Sequence, residues 1–170
     1  MKLRLTQYDD LDAVLEIIEQ AKQYFKVNQI PQWQNGVPSK KTIEEDIASG
    51  NGYVLVEEDE IIGICALFFE DDPAYKTIQE GRWLNDYEYV VIHRMAIKQN
   101  HKGHGYGSNM IEQIEQLAKE KGIFNLRIDT HKDNHSMQRL IAKNKFTYCG
   151  IVTINDNGEM AERLAYQKEL

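Results

Sequence analysis

Apolar positions recur along this chain with two different periods. Leu11, Val14, Leu15, Ile18, Ala21 and Phe25 return every three or four residues, which predicts a helix with Asp9 or Asp10 ahead of it as a cap. The short "LRL" at 3–5 reads as a first strand. "SKKTIEEDIASG" (39–50) opens on a capping serine and closes on glycine, so it reads as a second, short helix. Between the two helices, "VNQIPQWQNGVPSK" (27–40) carries prolines and a tryptophan and reads as a loop. "GYVLVEE" and "IIGICALFFE" then read as a hairpin around an acidic turn at 58–60.

The second half repeats the alternation of strand and helix. "DDPAYKTIQEGRWLNDYE" (71–88) is irregular, with a short helix expected from Ala74 to Glu80. "YVVIHRMAI" (89–97) is apolar on both faces, as a strand covered on both sides would be. Met110, Ile111, Ile114, Leu117 and Ala118 form a helical stripe that Gly122 ends. In "FNLRIDT" (124–130), Phe124, Leu126 and Ile128 point one way, Arg127 and Asp129 the other. Asn134 caps a helix through Met137, Leu140 and Ile141, and "FTYCGIVTI" and "ERLAYQKEL" close the chain as strands around "NDNG". The order is β-α-α-β-β-insert-β-α-β-α-β-β, which predicts one α/β domain over residues 1–170.

Composition narrows the partners. The chain is 42% apolar and 28% charged, as expected of a globular protein, and its net charge is −7. An acidic balance argues against nucleic-acid or anionic-membrane binding and tolerates a cationic substrate. Cys65 and Cys149 lie in apolar runs without a C-x-x-C pair, so two free thiols in a reducing compartment are expected. "MKLRLTQYDD" lacks an apolar core, so no secretion signal is expected, and the cytoplasm is the expected location.

The chemistry concentrates in "HKGHGYGS" (101–108), between a buried strand and a helix. Three glycines in five residues let backbone N–H groups converge at a helix start, where an anion such as a phosphate is stabilised. A tight turn without a ligand is the plainer alternative. A Walker A loop is excluded, because no Gly-Lys-Ser/Thr follows. A dinucleotide fingerprint needs G-x-G-x-x-G directly after its strand, whereas the glycines here stand at 103, 105 and 107 behind the polar "KQNHK". The pairs His101/His104 and His131/His135 have metal-like spacing but no accompanying cysteine, so no metal is expected.

The strand "VIHRMAI" (91–97), the loop Lys102-Gly103-His104-Gly105-Tyr106-Gly107 and the Asn134-capped helix running to Phe146 together resemble the GNAT family, the GCN5-related N-acetyltransferases. The resemblance covers nearly the whole chain. It implies a mixed central sheet of about seven strands flanked by about four helices, splayed between the fourth and fifth strands. It also implies direct transfer of acetyl from acetyl-CoA to a primary amine of a small molecule or peptide, without a metal. A non-catalytic acyl-CoA-binding regulatory module is the alternative, and a homodimer is left open.

The same resemblance implies the residues. Lys102, Gly103, His104, Gly105, Tyr106, Gly107 and Ser108 would hold the pyrophosphate, with Lys102 standing where the family has Arg or Gln. Met95, Ala96, Ile97 and Asn134 would bind the pantetheine arm. Asp129 is the expected base, with capping a loop or pairing with Arg127 or Arg94 as its plainer roles. His131 would relay a proton. Tyr148 would serve as the acid, because the family's usual tyrosine position holds Ile141. His93 reads first as a core residue; it, Glu88 and Tyr89 are further candidates for the base. Trp33, Trp83 and Tyr89 would line the acceptor site, where aromatic and acidic groups suit a cation.

Overall fold

The structure is a computed structural model that describes all residues from Met1 to Leu170. The chain forms two compact units, one of residues 1–67 with 94–114, the other of residues 68–93 with 115–170. No helix is long and apolar enough to cross a membrane.

The first unit contains β1 (Lys2–Leu5), α1 (Leu11–Val27), α2 (Lys40–Ala48), β2 (Gly52–Glu57) and most of β3 (Glu60–Phe68). It also holds the second half of β4 (Val90–Ile97) and the start of α3 (Tyr106–Glu120). The antiparallel ladders pair Leu3 with Leu55 and Val54 with Ile64. Val14, Ile17 and Ile18 of α1 and Ile43 of α2 bury their side chains against Val54 and Ile64, so the helical stripe and the hairpin close one core. Ser39 caps α2 by accepting from the Thr42 N–H. Asp10 sits at the N-cap of α1 without capping it; its carboxylate accepts instead from Arg4 at 2.7 and 3.0 Å and from the Gln7 N–H at 2.7 Å.

The second unit contains the insert after β3, the first half of β4, β5 (Asn125–Thr130), α4 (His135–Lys143), β6 (Thr147–Asp156) and β7 (Glu159–Glu169). Its core joins Tyr75, Tyr89, Val91, Val152 and Ala165. With β4 contributing to both units, the strand order is β1-β2-β3-β4-β5-β7-β6 in seven strands. All strands pair antiparallel in the registered ladders except β4 and β5, whose parallel register runs Val90↔Leu126, Val91↔Arg127 and Ile92↔Ile128 and ends there. A β-α-β crossover through α3 is what permits that parallel pair.

Two local expectations give way to tertiary contacts. The helix expected over 74–80 is only a 3-10 turn at Pro73–Tyr75, capped by the Asp72 carboxylate accepting from the Ala74 N–H. Beyond it, Gln79 exchanges both backbone hydrogen bonds with Ile151 of β6 at 2.8 Å, and Glu80 has a φ of +54°, so the ladder takes the groups a helix would need. Phe124 does not share the inner face of Leu126 and Ile128: it precedes β5 and is 54% exposed.

Candidate active site

The first unit carries the glycine loop. Gly103 and Gly105 have φ of +83° and +86°, and a Cβ at either would meet open space. Glycine is therefore required by the backbone conformation, and the space above the loop is left clear. The Asn109 N–H donates to the Gly105 carbonyl at 3.1 Å, so the loop runs straight into the first turn of α3, at the positive end of the helix dipole. That cradle fits a pyrophosphate. The Lys102 ammonium lies 4.1 Å from the Tyr24 ring centre, and burial lowers its pKa. The His104 ring lies 6.3 Å from that of Tyr106.

Leading into the loop, β4 bends. Arg94 has a φ of +53° in mid-strand, and its guanidinium binds the Asp46 carboxylate at 2.8 and 2.6 Å. Met95 is buried, while Ala96 and Ile97 are half-buried. A Cβ on Gly63 of β3 would sit 2.6 Å from Met110 and 2.8 Å from Ile97, so this glycine lets α3 press onto the strands. Trp33 packs edge-on against Phe25, with ring centres 5.5 Å apart, beside Ala21 and Ile30.

The second unit assembles the titratable groups. Where the β4–β5 ladder stops, the next residues on each strand are His93 and Asp129. His93 Nδ1 and Asp129 Oδ2 are 3.9 Å apart, and the Tyr75 hydroxyl donates to the same Oδ2 at 2.6 Å. On the other side of the imidazole, Nε2 lies 2.8 Å from Asp72 Oδ2. Burial pushes the Asp72 carboxyl up, but hydrogen bonds from His93 and the Ala74 N–H more than offset this and leave it lowered. Burial, together with Asp129, pushes the Tyr75 phenol well above its ordinary value, so it remains a donor.

Trp83 and Tyr89 support this cluster. Trp83 Nε1 donates to the Tyr75 carbonyl at 2.8 Å, and the buried Arg127 guanidinium lies between the two rings, 4.1 Å from Trp83 and 3.9 Å from Tyr89. Arg127 donates to the Asn85 carbonyl and to Gln167, and Asp129 pairs with neither Arg127 nor Arg94. An open cavity of about 790 Å³ is lined by Lys76, Trp83, Leu84, Asp86, Tyr148 and Cys149 among others. Tyr148 thus shares a cavity with Trp83; it is half exposed and packs on Tyr166.

His131 stays outside the cluster. Its Nδ1 accepts from the Asp133 N–H at 3.1 Å, and burial, with Arg163 nearby, lowers its pKa. Asn134 is buried and caps α4 through the Met137 N–H, and Ile141 is wholly buried. Glu88 is exposed, and its carbonyl accepts from Asn125. No group of three or more His, Cys, Asp or Glu side chains is arranged to hold a metal ion. The residue that sequence reasoning passed over is Asp72. Its signal was Asp-Pro at the start of the insert, a turn-initiating pair that also explains its cap on Ala74.

The sequence model of the Acetyltransferase (GNAT) family matches residues 13–146. No curated protein matches the sequence. Among solved structures, the chain is similar to a GNAT-family acetyltransferase from Streptococcus agalactiae, at 30% identity and a TM-score of 0.89, over 99% of this chain and 95% of that one. A GNAT-family acetyltransferase from Listeria monocytogenes shares 19% identity at a TM-score of 0.75, over 99% and 94% of the two chains. The PaiA N-acetyltransferase from Thermoplasma acidophilum, solved in complex with coenzyme A, shares 16% identity at a TM-score of 0.69, over 99% and 98%. These last two likenesses are of fold.

Proposed function

The chain belongs to the GNAT acetyltransferase family, and from that premise we propose that it moves acetyl from acetyl-CoA directly to a primary amine of a small molecule or peptide. The observation that carries the donor side is the loop of Gly103 and Gly105, in left-handed conformation at the start of α3 with open space above it. Backbone N–H groups from 103 to 108 would hold the pyrophosphate. Met95, Ala96, Ile97 and Asn134 would hold the pantetheine arm.

The acceptor amine arrives as an ammonium ion and must lose a proton before it attacks. Asp129 is the carboxylate that would meet it, and Trp83 and Tyr89 would form the wall behind. In direct transfer, the nitrogen lone pair forms a bond to the thioester carbonyl carbon and the C–S bond breaks. The remaining surplus proton on nitrogen goes to the thiolate, and Tyr148 and His131 are the candidate carriers. The two buried thiols, Cys65 and Cys149, both pushed up by burial, support a reducing compartment such as the cytoplasm.

Acetyl-CoA should raise the melting temperature of cofactor-free protein, and a screen of amines, polyamines and peptides should find one that releases thiol. No thermal shift at saturating acetyl-CoA would remove the proposal. A second reading, an acyl-CoA-binding regulatory module, is favoured by Ile141 in place of the family's tyrosine. It predicts the thermal shift without thiol release from any amine.

A further inference from the structure

We propose that His93 is the base for the acceptor, and that the substrate ammonium binds between His93 Nδ1 and Asp129 Oδ2. This rests on the acetyl-transfer reading above and names the acceptor end of the same reaction.

A carboxylate can only accept, so the 2.8 Å contact with Asp72 Oδ2 assigns the ring proton to His93 Nε2. Asp72 is held in place in turn: its other oxygen accepts from the Ala74 N–H at 2.8 Å, and its own N–H donates to the Tyr89 hydroxyl at 3.2 Å. In the neutral ring Nδ1 is then a bare lone pair. It faces Asp129 Oδ2 at 3.9 Å, too far for a hydrogen bond between them and in any case acceptor against acceptor. The Tyr75 hydroxyl donates to Oδ2 from another side and cannot bridge to Nδ1 as well with its single proton.

Two acceptors at this spacing, one of them anionic, suit a donor that carries several protons and a positive charge. A primary ammonium meets both conditions and can donate to Nδ1 and Oδ2 together. The ring is braced edge-on by Phe68, at 5.6 Å between ring centres, and by Tyr75, at 6.1 Å, so its lone pair keeps its direction. The side chain of His93 is 25% exposed, against 9% for Asp129, so the imidazole is the more accessible of the two groups.

The step balances. The ammonium gives one proton to Nδ1, leaving a neutral amine and an imidazolium between two carboxylates, Asp72 and Asp129. The amine then forms the N–C bond, the C–S bond breaks, and the second proton passes from nitrogen to sulfur, giving amide and free thiol.

Long-range proton–nitrogen correlation spectra of the His93 ring, at about pH 8, test the first half without any acceptor. We expect the Nε2–H tautomer, with an Nδ1 resonance that moves on addition of methylammonium in the parent protein and not in Asp129→Asn. A proton on Nδ1, or an Nδ1 resonance indifferent to methylammonium, would overturn the proposal. With an amine from the thiol-release screen, His93→Gln should lose about a hundredfold in kcat with little change in KM or in the acetyl-CoA thermal shift. A variant within about threefold of the parent would also overturn it. If His93→Gln does not fold, the spectra of the parent still decide. Failure of the donor reading would appear separately, as a parent without an acetyl-CoA thermal shift.

Discussion

Arg94 and Asp46 form a two-pronged ion pair, at 2.8 and 2.6 Å, across the first unit. Arg94 stands at a φ of +53° in the middle of β4, a conformation that side chains other than glycine rarely take. Asp46 lies in the last turn of α2, where the helix dipole disfavours a carboxylate, and its side chain is only 9% exposed. Each residue is held in an unfavourable place by the other. Asp46→Asn should therefore destabilise the protein by about 3 kcal/mol in urea unfolding, because the half-buried Arg94 guanidinium loses this carboxylate. A loss below about 1 kcal/mol would mean the pair does not hold the bend.

The glycine loop separates conformation from space. At Gly105 a side chain would meet no neighbour, so only the positive φ opposes substitution. Gly105→Val should weaken acetyl-CoA binding at least about tenfold, while Gly105→Asn, which tolerates the left-handed region, should come close to the parent. Calorimetric titration with acetyl-CoA checks the ranking; equal affinities for the two variants would dissociate the loop's conformation from binding.

Gly81 is constrained by contact instead. A Cβ there would collide with the Cys149 carbonyl oxygen on β6. Gly81→Ala should lift the insert and cost about 1–3 kcal/mol of stability. Because the insert carries Asp72, Tyr75 and Trp83, acceptor turnover should fall while the acetyl-CoA thermal shift persists. Unchanged turnover would show that the insert's seating does not set the acceptor site.

Acid should destabilise the fold in two stages. The folded pKa of His131 is lowered by burial, so its neutral form is favoured, and the associated stability is lost as pH falls from about 6.5, its unfolded value, through the folded one. Asp72 and Asp10 are also lowered, by hydrogen bonds from His93 and Arg4 that outweigh burial, and their contributions are lost below about pH 4. Unfolding free energy measured against pH should lose its first stage in His131→Gln and part of its second in Asp72→Asn. Curves that overlay the parent would contradict both assignments.

What was legible in the sequence followed from local rules. The Ser39 and Asn134 caps, the turn at 58–60 and the apolar stripe of α3 each depend on neighbours a few residues away. The order of elements along the chain followed from the alternation of strand and helix patterns and from the family's motifs. The cluster of titratable groups in the second unit did not follow, because its bonds join distant positions: Asp72 to His93 and Tyr75 to Asp129. His93 looked like one more apolar-strand residue until the fold set Asp72 against its Nε2. The expected helix over 74–80 failed for the same reason, since the β6 backbone competes for the hydrogen bonds of Gln79.

The exchange of hydrogen bonds between Gln79 and Ile151 has a consequence for how copies of this protein treat one another. β6 is the outermost strand at its end of the sheet, and an outermost strand offers a row of backbone donors and acceptors to any passing chain. Gln79 occupies that row at Ile151, and Gly81 crowds it at Cys149. The segment proposed to shape the acceptor site is thus also a guard against strand-to-strand aggregation. Variants selected for a roomier acceptor site by loosening this segment should become less soluble as they become more permissive.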